Sequence, residues 1–99
     1  MTAIIGPYPP VHPGEVLLTE FLEPLSLSAY ALATACHVPR TRIERLARGE
    51  TRVTADTALR LARYFGTTPQ FWMNLQAGHD LAVANQSADL VTIEPRDAA

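Results

Sequence analysis

Residues 28–48, SAYALATACHVPRTRIERLAR, carry the start and stop signals of two helices separated by a very short turn. Ser28 is a favourable N-cap, and an alanine-rich run follows it to about Cys36. After a turn, the next helix begins at residue 39 or 40 and runs to Arg48, where Gly49 ends it. This layout is typical of a helix-turn-helix motif, whose second helix enters the major groove of DNA.

The second of these helices has one apolar and one basic side. At 100° per residue, Ile43, Leu46 and Ala47 fall together and face the core. The opposite side carries four arginines and a threonine. An arginine can bridge O6 and N7 of guanine with two parallel donors, and a threonine can hydrogen-bond a base or touch a thymine methyl group. We therefore expect base contacts from Arg40, Thr41, Arg42 and Arg45.

A polar loop, GETRV at residues 49–53, follows this helix and leads into Thr54, the N-cap of the next helix. Loops and helix N-termini of this kind hold backbone phosphates and set the register of a protein on the duplex. The predicted phosphate contacts are Ser28, Arg48, Thr51, Arg52 and Thr54.

Three further helical patterns lie outside this stretch. One opens at Pro13, one runs from Thr54 to Gly66, and one starts at Thr68 and extends to about Ala84. The sequence thus predicts an all-α, five-helix helix-turn-helix domain at residues 12–84. An extended N-terminal arm (1–11) would precede it and a C-terminal tail (85–99) would follow, with a possible short strand at residues 89–94.

Charge distribution supports a nucleic-acid partner more than the net charge of −2 does. Seven of the eight cations, all arginines, lie between residues 40 and 63, where only three acids oppose them and leave a local charge of +4. A basic stripe on an otherwise acidic chain is the electrostatic signature of a DNA-binding protein. The alternative to a DNA-binding helix is an ordinary amphipathic surface helix whose arginines are only solvated. Because Glu44 is the only acid among the four arginines of this helix, we expect their charge to be incompletely neutralised.

Other chemistries have little support. A single cysteine excludes an intramolecular disulfide framework and a four-cysteine zinc site, and the three histidines lack metal-ligand spacing. Cys36 and His37 are adjacent, which is poor geometry for a nucleophile and its base. We expect neither a catalytic site nor a metal or cofactor. No apolar run approaches the roughly 20 residues of a membrane span, and MTAIIGPYPP lacks a basic signal region, so a cytoplasmic location is expected.

Three blocks carry a resemblance to a known family: HPGE at residue 12, VTADTALRLARYFGT at residue 53 and FWMNLQ at residue 71. Over about residues 11–83 the chain resembles the HigA-type antitoxins of bacterial toxin–antitoxin modules, which are helix-turn-helix proteins of the xenobiotic-response-element class. The resemblance implies a five-helix fold, a homodimer and repression of the module's own palindromic operator. It also implies neutralisation of a cognate toxin, a RelE/HigB-like endoribonuclease that cleaves mRNA.

Two positions depart from the family pattern. The turn after the second helix usually holds a glycine, but here it reads Cys36-His37, and a left-handed His37 would cost on the order of 1 kcal/mol. A glutamine usually follows the Ser28 position and can touch a phosphate, whereas Ala29 cannot. Operator affinity is then expected to depend more on the arginines.

The sequence leaves three hypotheses for the function open. The first is a dimeric repressor and antitoxin, and a stand-alone transcriptional regulator without a toxin is its close alternative. The second is an interaction module for which toxin binding is the main role, and the third, an enzyme, has no motif in its favour. The dimer residues expected from apolar patterning are Phe71, Trp72, Leu75, Leu90, Val91 and Ile93.

Overall fold

The computed structural model describes residues 11–97, in which five helical regions follow one another with short connections. Their bounds are α1 (Pro13–Val16), which continues directly into a π-helical segment (Leu17–Leu22), α2 (Ala29–Cys36), α3 (Arg40–Ala47), α4 (Ala55–Phe65) and α5 (Pro69–Ser87). The same residues contain no strand. The predicted all-α, five-helix fold is confirmed.

Side-chain caps start most of the helices, as the sequence indicates. The Oγ atoms of Ser28, Thr54 and Thr68 accept the N–H three residues on, and His12 Nδ1 accepts the N–H of Gly14. Each of these bonds satisfies an amide that has no partner within its own helix. The helix starts are therefore fixed by local chemistry.

The core is built from all five helical regions. Its buried apolar side chains are Leu17, Leu22, Leu32, Ala33, Cys36, Ile43, Leu46, Val53, Ala58, Leu61, Ala62 and Trp72. The start of α1 rests on the backbone of α3, because a Cβ at Gly14 would lie 1.7 Å from the carbonyl oxygen of Leu46. Only glycine allows this approach. The apolar side of α3 is thereby held against the core while its other side faces outward.

The C-terminal part differs from the sequence prediction in two ways. Helix α5 extends to Ser87, three residues beyond the expected end, and residues 89–94 form a turn and irregular backbone rather than a strand. Most of the expected N-terminal arm, residues 1–10, lies outside the described residues. None of the helices between residues 11 and 97 combines the length and the hydropathy needed to cross a lipid bilayer.

Candidate nucleic-acid interface

Helix α3 presents its basic side to solvent. Ile43 and Leu46 are 1% and 2% exposed and face the core. The side chains of Arg40, Arg45 and Arg48 are each 59% exposed, and that of Arg42 is 42% exposed. A short helix with this division of side chains can enter a major groove without disturbing the core behind it.

The turn between α2 and α3 adopts the conformation that the sequence makes unfavourable. His37 lies in the left-handed region at φ 60° and ψ 45°, and its N–H is donated to the carbonyl of Thr34. Arg60 of α4 supports the turn, because its Nη1 donates to Cys36 O at 2.9 Å and to His37 O at 3.4 Å. Sequence reasoning left Arg60 outside the site, and its contact with the turn is structural.

Six of the nine predicted DNA contacts line one shallow groove of about 510 Å³. They are Thr41, Arg42, Arg45, Thr51, Arg52 and Thr54, and Pro39, Asp56 and Thr57 complete the lining. Helix α3 thus forms one wall, and the loop that follows it, with the start of α4, forms the other. The groove brings base-reading candidates and phosphate-binding candidates together on one face.

The other three predicted contacts, Ser28, Arg40 and Arg48, lie outside the groove. Ser28 caps α2 by accepting the N–H of Ala31, so its hydroxyl is at a helix N-terminus. Arg40 lies with its guanidinium carbon 6.0 Å from the centre of the Tyr30 ring, a cation–π arrangement. Tyr30, 63% exposed, was missed by the sequence analysis, and no motif or charge pattern would have indicated it.

The expectation of incompletely neutralised arginines holds, because the four arginines of α3 and Arg52 of the following loop share only four carboxylates, and Arg60 also pairs with one of these. Every arginine of α3 and the following loop has an ion pair, and the pairs are Arg40–Glu44 (3.3 Å), Arg42–Asp56 (2.6 Å), Arg45–Glu50 (3.7 Å), Arg48–Glu50 (3.4 Å), Arg48–Glu44 (3.9 Å) and Arg52–Asp80 (2.9 Å). All these side chains are about a third exposed or more. Exposed pairs of this kind contribute only about 0–1 kcal/mol each, so a phosphate or a base edge can displace the carboxylate.

Asp56 is the most connected of these carboxylates. Its Oδ2 accepts hydrogen bonds from Arg42 Nη1 and from Arg60 Nε at 3.0 Å. The Arg42 bond, followed by the Arg60 bond, lowers the pKa of Asp56 below its ordinary value. The carboxylate therefore stays ionised and holds Arg42 beside the groove.

The residues predicted to form a dimer interface do not share one environment. Trp72 is fully buried within its own protomer, where it packs on Phe21 and its Nε1 donates to Thr67 Oγ1 at 2.8 Å. It belongs to the core, because its indole ring fills the space between α5 and the first helical region, and its place among the dimer candidates is corrected. Phe71 is 37% exposed and Leu75 is half-buried against the core.

Exposed apolar side chains concentrate at the other end of α5 and in the tail. Leu90, Val91 and Ile93, which the sequence analysis selected, are 56%, 92% and 65% exposed. Leu81 and Val83, which it missed, are 70% and 45% exposed. Leu81 and Val83 are two residues apart, so they do not follow the three- to four-residue spacing that marks an apolar helix face in a sequence.

The single cysteine of the sequence is placed where its thiolate form is disfavoured. Cys36 is buried, and its burial raises the pKa of the thiol above the ordinary value. Among residues 11–97, no group of three or more histidine, cysteine, aspartate or glutamate side chains is arranged to hold a metal ion.

Known proteins match the chain over most of its length. The Helix-turn-helix family (HTH_3) matches residues 18–72. "Virulence-associated protein I" of Dichelobacter nodosus is 49% identical over 85 residues, which cover 86% of this chain and 79% of that protein. "Antitoxin HigA-1" of Vibrio cholerae is 44% identical over 72 residues, which cover 73% of this chain and 68% of that protein.

A solved structure extends the likeness to nearly the whole chain. The antitoxin GraA in complex with its operator superposes with a TM-score of 0.85 at 37% identity, and the match covers 98% of this chain and all of that one. The fold, the position of the helix-turn-helix and the family are thus shared. The chain belongs to the helix-turn-helix family and, within it, to the HigA-type antitoxins.

Proposed function

We propose that this protein is a dimeric repressor that binds the operator of its own gene and neutralises a toxin encoded beside it. The observation that carries the DNA-binding part is the groove beside α3, where six side chains chosen from the sequence line one exposed surface. GraA, whose fold matches over almost the whole chain, is described in complex with its operator. We place the binding of operator DNA in the cytoplasm.

Base recognition is assigned to the outward side of α3. Arg42 and Arg45 line the groove, and both are long enough to reach a guanine edge once their carboxylate partners are displaced. Thr41 lines the same groove, and Arg40 lies at the N-terminal end of the helix. These four side chains would carry sequence preference, because base edges differ between base pairs and phosphates do not.

Phosphate binding is assigned to the surroundings of α3. Arg52 extends from the loop on one side, and Arg48 ends α3 on the other. Ser28 and Thr54 mark the N-termini of α2 and α4, where free amides and the positive end of the helix dipole favour an anion. Thr51 lies in the loop beside Arg52. These groups would fix the position of α3 in the groove.

A two-fold dimer would place two copies of α3 on successive major grooves. The half-sites would then be about 34 Å apart, one turn of the duplex, or a multiple of that distance. The exposed apolar residues of the tail and the end of α5 are the surface available for this contact. The antitoxin role rests on the family.

The test of DNA binding compares variants on two duplexes. One is the DNA upstream of the protein's own coding sequence, and the other is a random duplex of equal length. We expect Arg42→Ala and Arg45→Ala each to weaken binding to the upstream DNA by about 1–3 kcal/mol and to reduce the preference over random DNA. Arg52→Ala should weaken binding to both duplexes equally. It should also reduce by about one the slope of log affinity against log salt concentration.

The matched control is Arg63→Ala. Arg63 is an exposed arginine of α4 that lies outside the groove, so its loss changes the net charge equally without removing a proposed contact. Equal losses for Arg42, Arg45 and Arg63 variants on both duplexes would contradict the assignment. The toxin role is tested by co-expression with the neighbouring reading frame: growth arrest that this protein relieves supports an antitoxin, and the absence of any toxic neighbour supports a stand-alone regulator.

A further inference from the structure

A chain of hydrogen bonds connects the buried part of α5 to the loop that follows α3. Gln76 is only 2% exposed, and its Oε1 accepts the backbone N–H of Val53 at 2.7 Å. Its Nε2 donates to Asp80 Oδ1 at 2.8 Å. The other carboxylate oxygen, Asp80 Oδ2, accepts from Arg52 Nη2 at 2.9 Å. A buried amide is thus linked, through the Asp80 carboxylate, to an exposed guanidinium.

This arrangement differs from the ion pairs along α3. In those pairs each arginine meets a carboxylate that has no buried anchor, such as Glu44 or Glu50. Asp80 has a short side chain with two torsions, and Gln76 fixes the orientation of its carboxylate from the protein interior. The bond from Arg52, followed by the bond from Gln76, lowers the pKa of Asp80, so the acceptor stays charged.

The pairing also leaves Arg52 open to a second partner. Asp80 engages one terminal nitrogen, and the Arg52 side chain remains 59% exposed along the groove beside α3. A guanidinium has five N–H donors in a planar fork, so it can bind a carboxylate on one edge and a phosphate on another. An arginine already held in one orientation loses less side-chain entropy when a phosphate binds.

We propose that Gln76 and Asp80 are positioning residues for DNA binding: Gln76 holds the loop through Val53, and Asp80 holds Arg52 toward the phosphate backbone. The proposal rests on the DNA binding proposed above. It opposes the simpler expectation that a carboxylate close to the interface only repels phosphate and competes for the arginine. The two expectations predict opposite changes in DNA affinity. Removal of the Asp80 charge weakens DNA binding if Asp80 positions Arg52, and strengthens it if Asp80 only repels phosphate.

The test is Asp80→Asn, with Asp89→Asn as the matched control. The asparagine keeps the size of the side chain and an acceptor for Gln76 Nε2, and it removes the charged acceptor of Arg52. Asp89 lies just beyond α5, and its substitution makes the same change in net charge at a residue with no ion pair in the described part of the chain. Binding to the upstream duplex and to a random duplex is measured over a range of salt concentrations, with the melting temperature as the folding control.

Relative to Asp89→Asn, we expect Asp80→Asn to weaken binding to both duplexes by roughly three- to tenfold and to lower the salt slope by about one, as the loss of one phosphate contact would. The melting temperature should fall only slightly, because an exposed ion pair contributes only about 0–1 kcal/mol. In an Arg52→Ala background, Asp80→Asn should cause no further loss. The positioning role would be overturned if Asp80→Asn left DNA binding unchanged or made it tighter. It would also be overturned if the losses of DNA affinity from Asp80→Asn and Arg52→Ala were additive. Failure of the unsubstituted protein to bind the upstream DNA would instead overturn the proposed function and this inference with it.

Discussion

His12 combines two roles in one partly buried side chain. Its Nδ1 accepts the N–H of Gly14 at 2.8 Å, which caps α1, and its ring meets the His79 ring edge-on with the centroids 4.9 Å apart. Burial lowers the pKa of His12, and the neighbouring His79 lowers it further. The carbonyl of Thr51 and the carboxylate of Asp80 act in the opposite direction but have smaller effects. The folded protein therefore favours the neutral ring.

This lowered pKa predicts a loss of stability in mild acid. Between the folded pKa and the ordinary value of 6.5, the unfolded chain binds more protons than the folded one, so the stabilising effect is complete above 6.5 and is lost as the pH falls below it. We expect the free energy of unfolding, measured by urea titration, to decrease from pH 7.5 to pH 5.5. The lowered pKa values of Asp56 and Asp80 act only below about 3.8 and leave this window unaffected.

The matched variant is His12→Asn. An asparagine oxygen can cap α1 in the same way, but it does not titrate. The decrease in unfolding free energy between the two pH values should be smaller in this variant than in the unsubstituted protein. Identical pH dependence in both proteins would assign the effect to other groups.

At the level of single residues, the sequence identified the arginines but not their partners. The 100° spacing of an α-helix is enough to place Arg42 and Arg45 on the outward side of α3, because that rule is local. Asp56 and Asp80 are 14 and 28 residues away from the arginines that they pair with, and only the tertiary fold brings them together. The burial of Trp72 has the same origin, since its neighbour Phe21 comes from the first helical region.

At the scale of the element, the end of α2 adopts a backbone conformation that is unfavourable for a residue with a side chain. His37 is held at φ 60°, where a side chain costs energy and glycine does not. We expect His37→Gly to raise the free energy of unfolding by up to about 1 kcal/mol, reduced by the greater freedom of glycine in the unfolded chain. His37→Val, which is β-branched, should lower it. Thermal unfolding of the three proteins in parallel measures the order, and a glycine variant less stable than the parent would contradict this reading of the turn.

Element boundaries were predictable where a cap marks them. Ser28, Thr54 and Thr68 begin helices as expected, and Gly66 ends α4 in the left-handed conformation. Helix α5 has no such signal after Gly78, and its last turns contain residues that suit helix or coil, so the sequence predicts an end near Ala84, three residues before the observed end at Ser87. The π-helical segment Leu17–Leu22 was not foreseen either, because its apolar spacing is close to that of an α-helix.

At the scale of the whole molecule, the exposed apolar tail leads to a prediction about the oligomer. A chain that ends at Ala88 keeps all of α5 but loses Leu90, Val91 and Ile93, so we expect a weaker dimer. Light scattering after size exclusion at a series of concentrations measures the mass. The control is Leu59→Ser, which removes an equally exposed leucine of α4 outside the predicted contact. A truncated chain that dimerises as well as the full chain would exclude the tail from the interface.

The ion pairs around α3 have a consequence for how the protein searches a chromosome. Each arginine of α3 already has a carboxylate of its own molecule beside it, so the free protein presents a less positive face than its arginines alone would give. Contact with an arbitrary stretch of duplex must first separate these pairs and then gains only phosphate interactions in return. We therefore expect such encounters to be shorter than those at the operator. A stretch that also offers matching base edges retains it, so the internal carboxylates act as a filter on residence time.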